Sequence, residues 1–254
     1  RVDRRQRQMC IRDSRIRNHV SDVFVYGIAE GVAESDPAAI IKKALLPLNG
    51  RRRAAITDLP AAQALLRTLE ARSGVHWSTL LATRLLALTA ARPGVVRLAE
   101  KSEFEGLDGP APIWRIPAAK MKLTRAEKND ITREFIIPLS PEAAAVAAAA
   151  ISESFACRSP LGRSWLFHGP GGFKKPISDS TLSKLYREAG YTGVHVPHGW
   201  RSTFSTIMNE RAAEEDEERD RLIIDMMLAH AQPGVEPIYN RSPVSYTHLR
   251  AHET

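Results

Sequence analysis

The chain has 254 residues, 43% of them hydrophobic and 26% charged, which suits a soluble globular protein with one sizeable core, or one core and part of a second. No run of about 18 apolar residues and no charged-then-apolar leader occurs, so neither a helical membrane span nor a signal peptide is expected. Cys10 and Cys157 form no C-x-x-C pair and predict a reducing, cytoplasmic setting rather than a disulfide scaffold. The net charge of +7 is a weak pointer to an anionic partner, because residues 1–14 supply +3 of it with five Arg and two Asp, while Glu214–Glu218 is acidic.

In chain order, residues 1–14 and 244–254 are polar and without sustained periodicity, and each is set aside as an artefact or disordered tail. Residues 15–48 carry helical patterning, with Val20, Val23, Phe24 and Ile28, then Ala38, Ile40, Ile41 and Leu45. Asp36-Pro37 between them is an N-cap followed by Pro at the first helical position. This segment is too small for a domain and is expected to be the C-terminal remnant of a helical one. Residues 49–53 form a linker ending in Arg51, Arg52 and Arg53.

A larger domain is expected over 54–243. Asp58-Leu59-Pro60 opens a helix with Ala64, Leu65 and Leu69 on one face, and Trp77–Ala91 gives another with Leu80, Leu81, Leu85 and Leu88. Ala91-Arg92-Pro93-Gly94 interrupts it, and Val95–Leu98 starts a short helix. Ile113–Pro117 and Glu134–Pro138 are β-branched and predict an antiparallel pair. Pro141–Ser152 is helical by its alanines, Ser178-Asp179-Ser180 caps a helix to about Ala189, Pro197-His198 opens one to Arg211, and Leu222–His230 ends the series. The fold class is therefore mainly α with a small antiparallel β-sheet. The Gly169–Lys175 stretch lacks the spacing of a phosphate-binding loop and predicts a turn.

Four places could carry chemistry. His198-Gly-Trp-Arg201 puts an imidazole and a guanidinium at i and i+3 beside a helix N-terminus, where unpaired N–H groups and the dipole favour an anion; a local ion pair and a plain cap are the ordinary alternatives. Arg92 follows a core helix directly and is either solvated or aimed at a ligand. His230 sits in an apolar stretch, where a satisfied core histidine is commoner than a catalyst. Tyr239 lies nine residues on, and a lone Tyr is usually packing.

Taken in order, Ala91-Arg92-Pro93-Gly94, Lys120-Met121-Lys122 before a strand, His198-x-x-Arg201, Leu228-x-His230 and Tyr239 resemble the tyrosine recombinase (phage-type integrase) family, from about Thr89 to Arg241. WRIPAAKMK, FIIPLS and KPISDSTL are further echoes, of prophage-type integrases. The resemblance implies a tyrosine recombinase catalytic domain, preceded by the remnant of a core-binding domain and lacking the arm-binding domain. It implies a site-specific recombinase that cuts and rejoins double-stranded DNA through a 3′-phosphotyrosine, as a homotetramer on paired sites in the full-length protein, in the bacterial cytoplasm and nucleoid. By the same resemblance Arg92 and Arg201 hold the scissile phosphate, His198 assists proton transfer, His230 bonds the phosphate, Lys122 protonates the leaving 5′ oxygen and Tyr239 is the nucleophile. Arg51, Arg52, Arg53 and Lys120 are expected to contact DNA, with Lys120 and Lys122 on one strand face. No nucleotide cofactor and no metal are implied, since two guanidiniums can stabilise the phosphate charge and the phosphotyrosine conserves bond energy.

The chain departs from the family pattern at Val95, where an acidic residue is usual, at Lys101 in place of a Trp, in a longer turn between Lys122 and Phe135, and in the acidic stretch Glu214–Glu218. With 244–254 set aside, the C-terminal helix that such enzymes exchange between protomers is expected to be missing. A catalytically defective DNA-binding remnant is the alternative reading. A metal-dependent hydrolase using His198, His230 and Asp225 is a third, unsupported by ligand spacing.

Overall fold

In a computed structural model of the protein, residues 4–42, 44–45, 53–155, 165–170, 172–214 and 218–229 are described. They fall into two compact units, residues 1–52 and 53–254.

The first unit holds α1 (Arg4–Ala29) and α2 (Pro37–Ile41). α1 begins inside the stretch set aside from the sequence, so residues 4–14 are helical. Asp36 caps α2 as its sequence predicts, accepting from the N–H groups of Ala38 at 2.8 Å and Ala39 at 3.2 Å, and Ser21 donates to the same carboxylate. The apolar patterning of α1 does not become a core. Val20, Val23 and Ile28 stay exposed, because two helices offer too little surface to cover them.

The second unit carries α3 (Leu59–Glu70), α4 (Trp77–Thr89), α5 (Pro93–Arg97), β1 (Phe104–Glu105), β2 (Ile113–Ile116), β3 (Phe135–Pro138), α6 (Pro141–Phe155), β4 (His168–Gly169), β5 (Gly172–Pro176), α7 (Thr181–Glu188), α8 (Gly199–Glu214) and α9 (Glu218–Met227). Asp58 caps α3 with its carboxylate on Ala61 N–H at 2.9 Å. The buried face of α3 is Ala62, Leu65 and Leu69, with Ala64 exposed; on α4, Ala82, Leu85 and Leu86 are buried and Leu88 is exposed. β2 and β3 pair antiparallel, Trp114 opposite Ile137, with β1 added on the other edge of β2. Two-residue β1 is too short to signal itself by alternation. The glycine-rich stretch expected as a turn also closes a second hairpin, β4–β5. Ser180 precedes α7 but makes no side-chain cap bond, and its hydroxyl meets that of Ser178 instead.

Leu65, Leu69, Leu85, Leu86, Trp114 and Phe167 form the centre of the core, all essentially without exposure. A smaller cluster of Ala90, Ala212, Ile224 and Leu228, with Phe204 and Met208 against it, packs α8 and α9 onto the end of α4. That packing carries one arginine-bearing helix to the other arginine.

Candidate active site

α4 ends at Ala90, which takes the left-handed conformation (φ 47°) and caps the helix. The chain turns there and Arg92 becomes the N-cap of α5, with Pro93 at the first helical position. Arg92 makes no capping bond, so its side chain is available elsewhere; its Nη2 donates to Ala229 O at 2.9 Å. Arg201 sits in the first turn of α8, 7% exposed. Its Nη1 donates to Ala90 O at 3.0 Å and its Nη2 to Leu228 O. Ala229 is the second non-glycine residue with positive φ (49°) among the described residues. Both such residues thus present a carbonyl to one of the two guanidiniums, the kind of local strain that gathers at functional sites.

Arg92 and Arg201 line one cleft with Val95, Met121, Met227 and Ala229. Among the described residues neither pairs with a carboxylate. Burial lowers the pKa of Arg92, and burial together with the neighbouring Arg92 brings Arg201 down to about 10. Both remain cationic near neutrality. Two like charges held against desolvation, bonded among the described residues only to carbonyls, are electrostatically suited to an anion. Val95 is buried in the same cleft, so this position adds no charge to it.

His198 lies just before α8, half-buried. Its pKa falls to about 4, first through burial and then through Arg53, Arg201 and Arg92. Arg53 is the one linker arginine among the described residues, and it belongs to this cluster electrostatically. His230, Tyr239, Arg51 and Arg52 lie outside the described residues.

His195, which no sequence motif singles out, anchors the helix start. It is buried, its Nδ1 accepts the Ile56 N–H at 3.0 Å, and its ring stacks on Tyr186. Val196 N–H reaches Ala54 O at 3.2 Å, and Thr203 Oγ1 donates to Ile56 O at 2.5 Å. Residues 54–56 are therefore laced to the beginning of α8. Gly199 permits this approach, since a Cβ there would lie 2.8 Å from Ala54 O. The only sequence signal was a second His three residues before His198.

The lysines correct an expectation. Pro117 ends the strand at Ile116, and residues 118–120 form a 3-10 turn closed by Lys120 N–H to Pro117 O at 2.9 Å. Lys120 and Lys122 therefore do not share a strand face. Lys120 turns inward onto Leu98 O at 2.6 Å, Glu100 at 2.9 Å and Glu103. Its ammonium is engaged with these three acceptors. Lys122 is exposed, one residue past Met121 of the cleft wall.

No family model matches the chain. Among known proteins it is 30% identical over 234 residues to the integrase of Shigella phage Sf6, a match spanning 91% of this chain and 54% of that protein. By sequence it is similar to phage and prophage integrases. It spans about half the length of the curated relatives it matches. The tyrosine recombinase fold extends over nearly all of it: a Tn1549 transposon integrase in complex with transposon right end DNA superposes with a TM-score of 0.61 at 13% identity, covering 96% of this chain and 82% of that one. A lambda integrase tetramer bound to a Holliday junction gives 0.53 at 16%, covering 90% and 59%. No helix among the described residues is long and apolar enough to cross a membrane.

Proposed function

We propose that this chain is the catalytic part of a site-specific DNA recombinase (integrase) that cuts and rejoins double-stranded DNA through a 3′-phosphotyrosine at Tyr239. The observation that carries the reading is the single cleft holding Arg92 and Arg201, beside His198, with no carboxylate among the described residues to neutralise it. A phosphodiester fits this cluster. The guanidinium N–H groups not spent on the Ala90, Leu228 and Ala229 carbonyls are left for the non-bridging oxygens, and the first turn of α8 adds the positive end of its dipole.

In the proposed reaction the Tyr239 oxygen attacks phosphorus and its proton passes to His198, kept neutral by its surroundings. The bond from phosphorus to the 5′ oxygen breaks, and Lys122 gives that oxygen a proton. Arg92, Arg201 and His230 hold the charge that builds on the phosphate. Attack by the 5′ hydroxyl of another strand reverses these transfers and frees Tyr239. The energy of the broken phosphodiester is kept in the phosphotyrosine, so rejoining draws on no nucleotide. The tetrameric lambda integrase structure supports a homotetramer on paired sites as the assembly of the full-length protein.

A nicked suicide duplex, which loses its 5′ hydroxyl fragment after cleavage, tests the reading. A protein–DNA adduct resistant to denaturant is expected, and none with Tyr239→Phe. An adduct that persists in Tyr239→Phe overturns the assignment.

A further inference from the structure

Lys120 sits where three separate pieces of the second unit meet. Its side chain is 13% exposed, and its ammonium lies between the carboxylates of Glu100 and Glu103, whose side chains are 25% and 5% exposed. It also donates to Leu98 O at 2.6 Å and stands 5.7 Å from the Trp165 ring centroid. The second oxygen of Glu103 accepts from Trp114 Nε1 at 2.9 Å, which ties the cluster to the central strand β2. Leu98 closes α5, the helix that Arg92 opens. One ammonium thus joins the loop carrying Met121 and Lys122 to the element carrying Arg92.

We propose that Lys120 is a positioning residue: through Glu100, Glu103 and the Leu98 carbonyl it fixes the 117–123 loop so that exposed Lys122 stands at the rim of the arginine cleft. The inference rests on the role proposed for Lys122 as the proton donor. The geometry favours it over a direct contact with DNA for two reasons. Lys120 has its three donors directed at three protein acceptors, and leaving Glu103 unpaired in its buried position would cost more than a surface contact returns. A lysine side chain loses much rotamer freedom when fixed, so Lys122 on an exposed loop of short 3-10 turns would be poorly placed unless its backbone were held. Met121 in the cleft wall holds it from one side and Lys120 from the other.

The experiment uses two suicide duplexes, one with an ordinary scissile phosphodiester and one with sulfur in place of the bridging 5′ oxygen. A thiolate leaves without protonation, so the second substrate needs no proton donor. Adduct formation on the ordinary duplex is expected to fall roughly 10- to 100-fold in Lys120→Met, as for a displaced acid catalyst, and to return near the level of the unaltered chain on the sulfur duplex. Lys120→Arg, whose fork can span the two carboxylates, retains cleavage of both. The dependence of DNA affinity on salt stays the same in Lys120→Met. Equal losses on the two duplexes, whether or not the melting temperature falls, overturn the inference. So does a salt slope reduced by about one phosphate contact. Lys122→Ala separates the two levels of the argument: if sulfur fails to rescue it, the role of Lys122 in the proposed function falls, and if sulfur rescues Lys122→Ala but not Lys120→Met, only the positioning by Lys120 does.

Discussion

Arg53 and His198 offer the sharpest test of the charge cluster, because His195 supplies an internal control. Both imidazoles are brought down to about 4 from an ordinary 6.5, His195 by burial alone and His198 by burial followed by Arg53, Arg201 and Arg92. For His198 the fall corresponds to about 3 kcal/mol against the protonated ring at about 1.4 kcal/mol per pH unit, part of it relieved by water because the ring is only half-buried. Burial outweighs Arg53, so the arginine accounts for less than half of the fall. Arg53→Met should therefore raise the His198 pKa by at most about 1 and leave His195 where it is. Imidazole carbon NMR signals followed from pH 7.5 downward read both rings. At pH 5 a ring with pKa near 4 is about one-tenth protonated, whereas an unperturbed one is almost fully protonated. The unfolded chain takes up protons from about pH 6.5 while the folded rings stay neutral, so the stabilisation is complete above that pH, declines as pH falls towards 4 and is lost below it. His198 titrating near 6.5, or both rings moving together in Arg53→Met, would refute the reasoning.

Two further outcomes concern the backbone of the site. Ala90→Gly relieves a left-handed alanine, and after the greater freedom glycine has in the unfolded chain it should stabilise the second unit by about 0.5–1 kcal/mol, visible as a higher melting temperature. Gly199→Ala places a methyl 2.8 Å from Ala54 O and 3.0 Å from His195 Nε2; it should destabilise by about 1–3 kcal/mol and move the His195 signal, and a variant that melts like the unaltered chain contradicts the close approach.

Much of this was legible in the sequence, and the reasons are local. Asp36 and Asp58 announce helix starts because a side-chain oxygen two or three residues from the N–H groups it caps needs no tertiary help. The β2–β3 pair shows in its β-branched residues, and Pro93 and Pro197 mark the helix starts that bear Arg92 and Arg201. What failed depended on distance. The apolar stripe of α1 predicts burial only if enough protein lies opposite it, and Val23 and Tyr26 remain exposed. Lys120 and Lys122 alternate along the chain, yet the residues between strands fold into a 3-10 turn and separate them, a choice made by Glu100 and Glu103 as acceptors.

The sequence by itself determined the helix starts at Asp36, Asp58 and Pro93, the β2–β3 pair, and the order of arginine, lysine, histidine and arginine along the chain. It could not say that Ala90, Leu228 and Ala229 would turn their carbonyls to the two guanidiniums, that Arg53 would act on His198, or that buried His195 would moor the start of α8. Those facts belong to tertiary structure. A cap or a turn is set by neighbours a few residues away, whereas the field at one imidazole is the sum of charges and lost water contributed by every element packed around it.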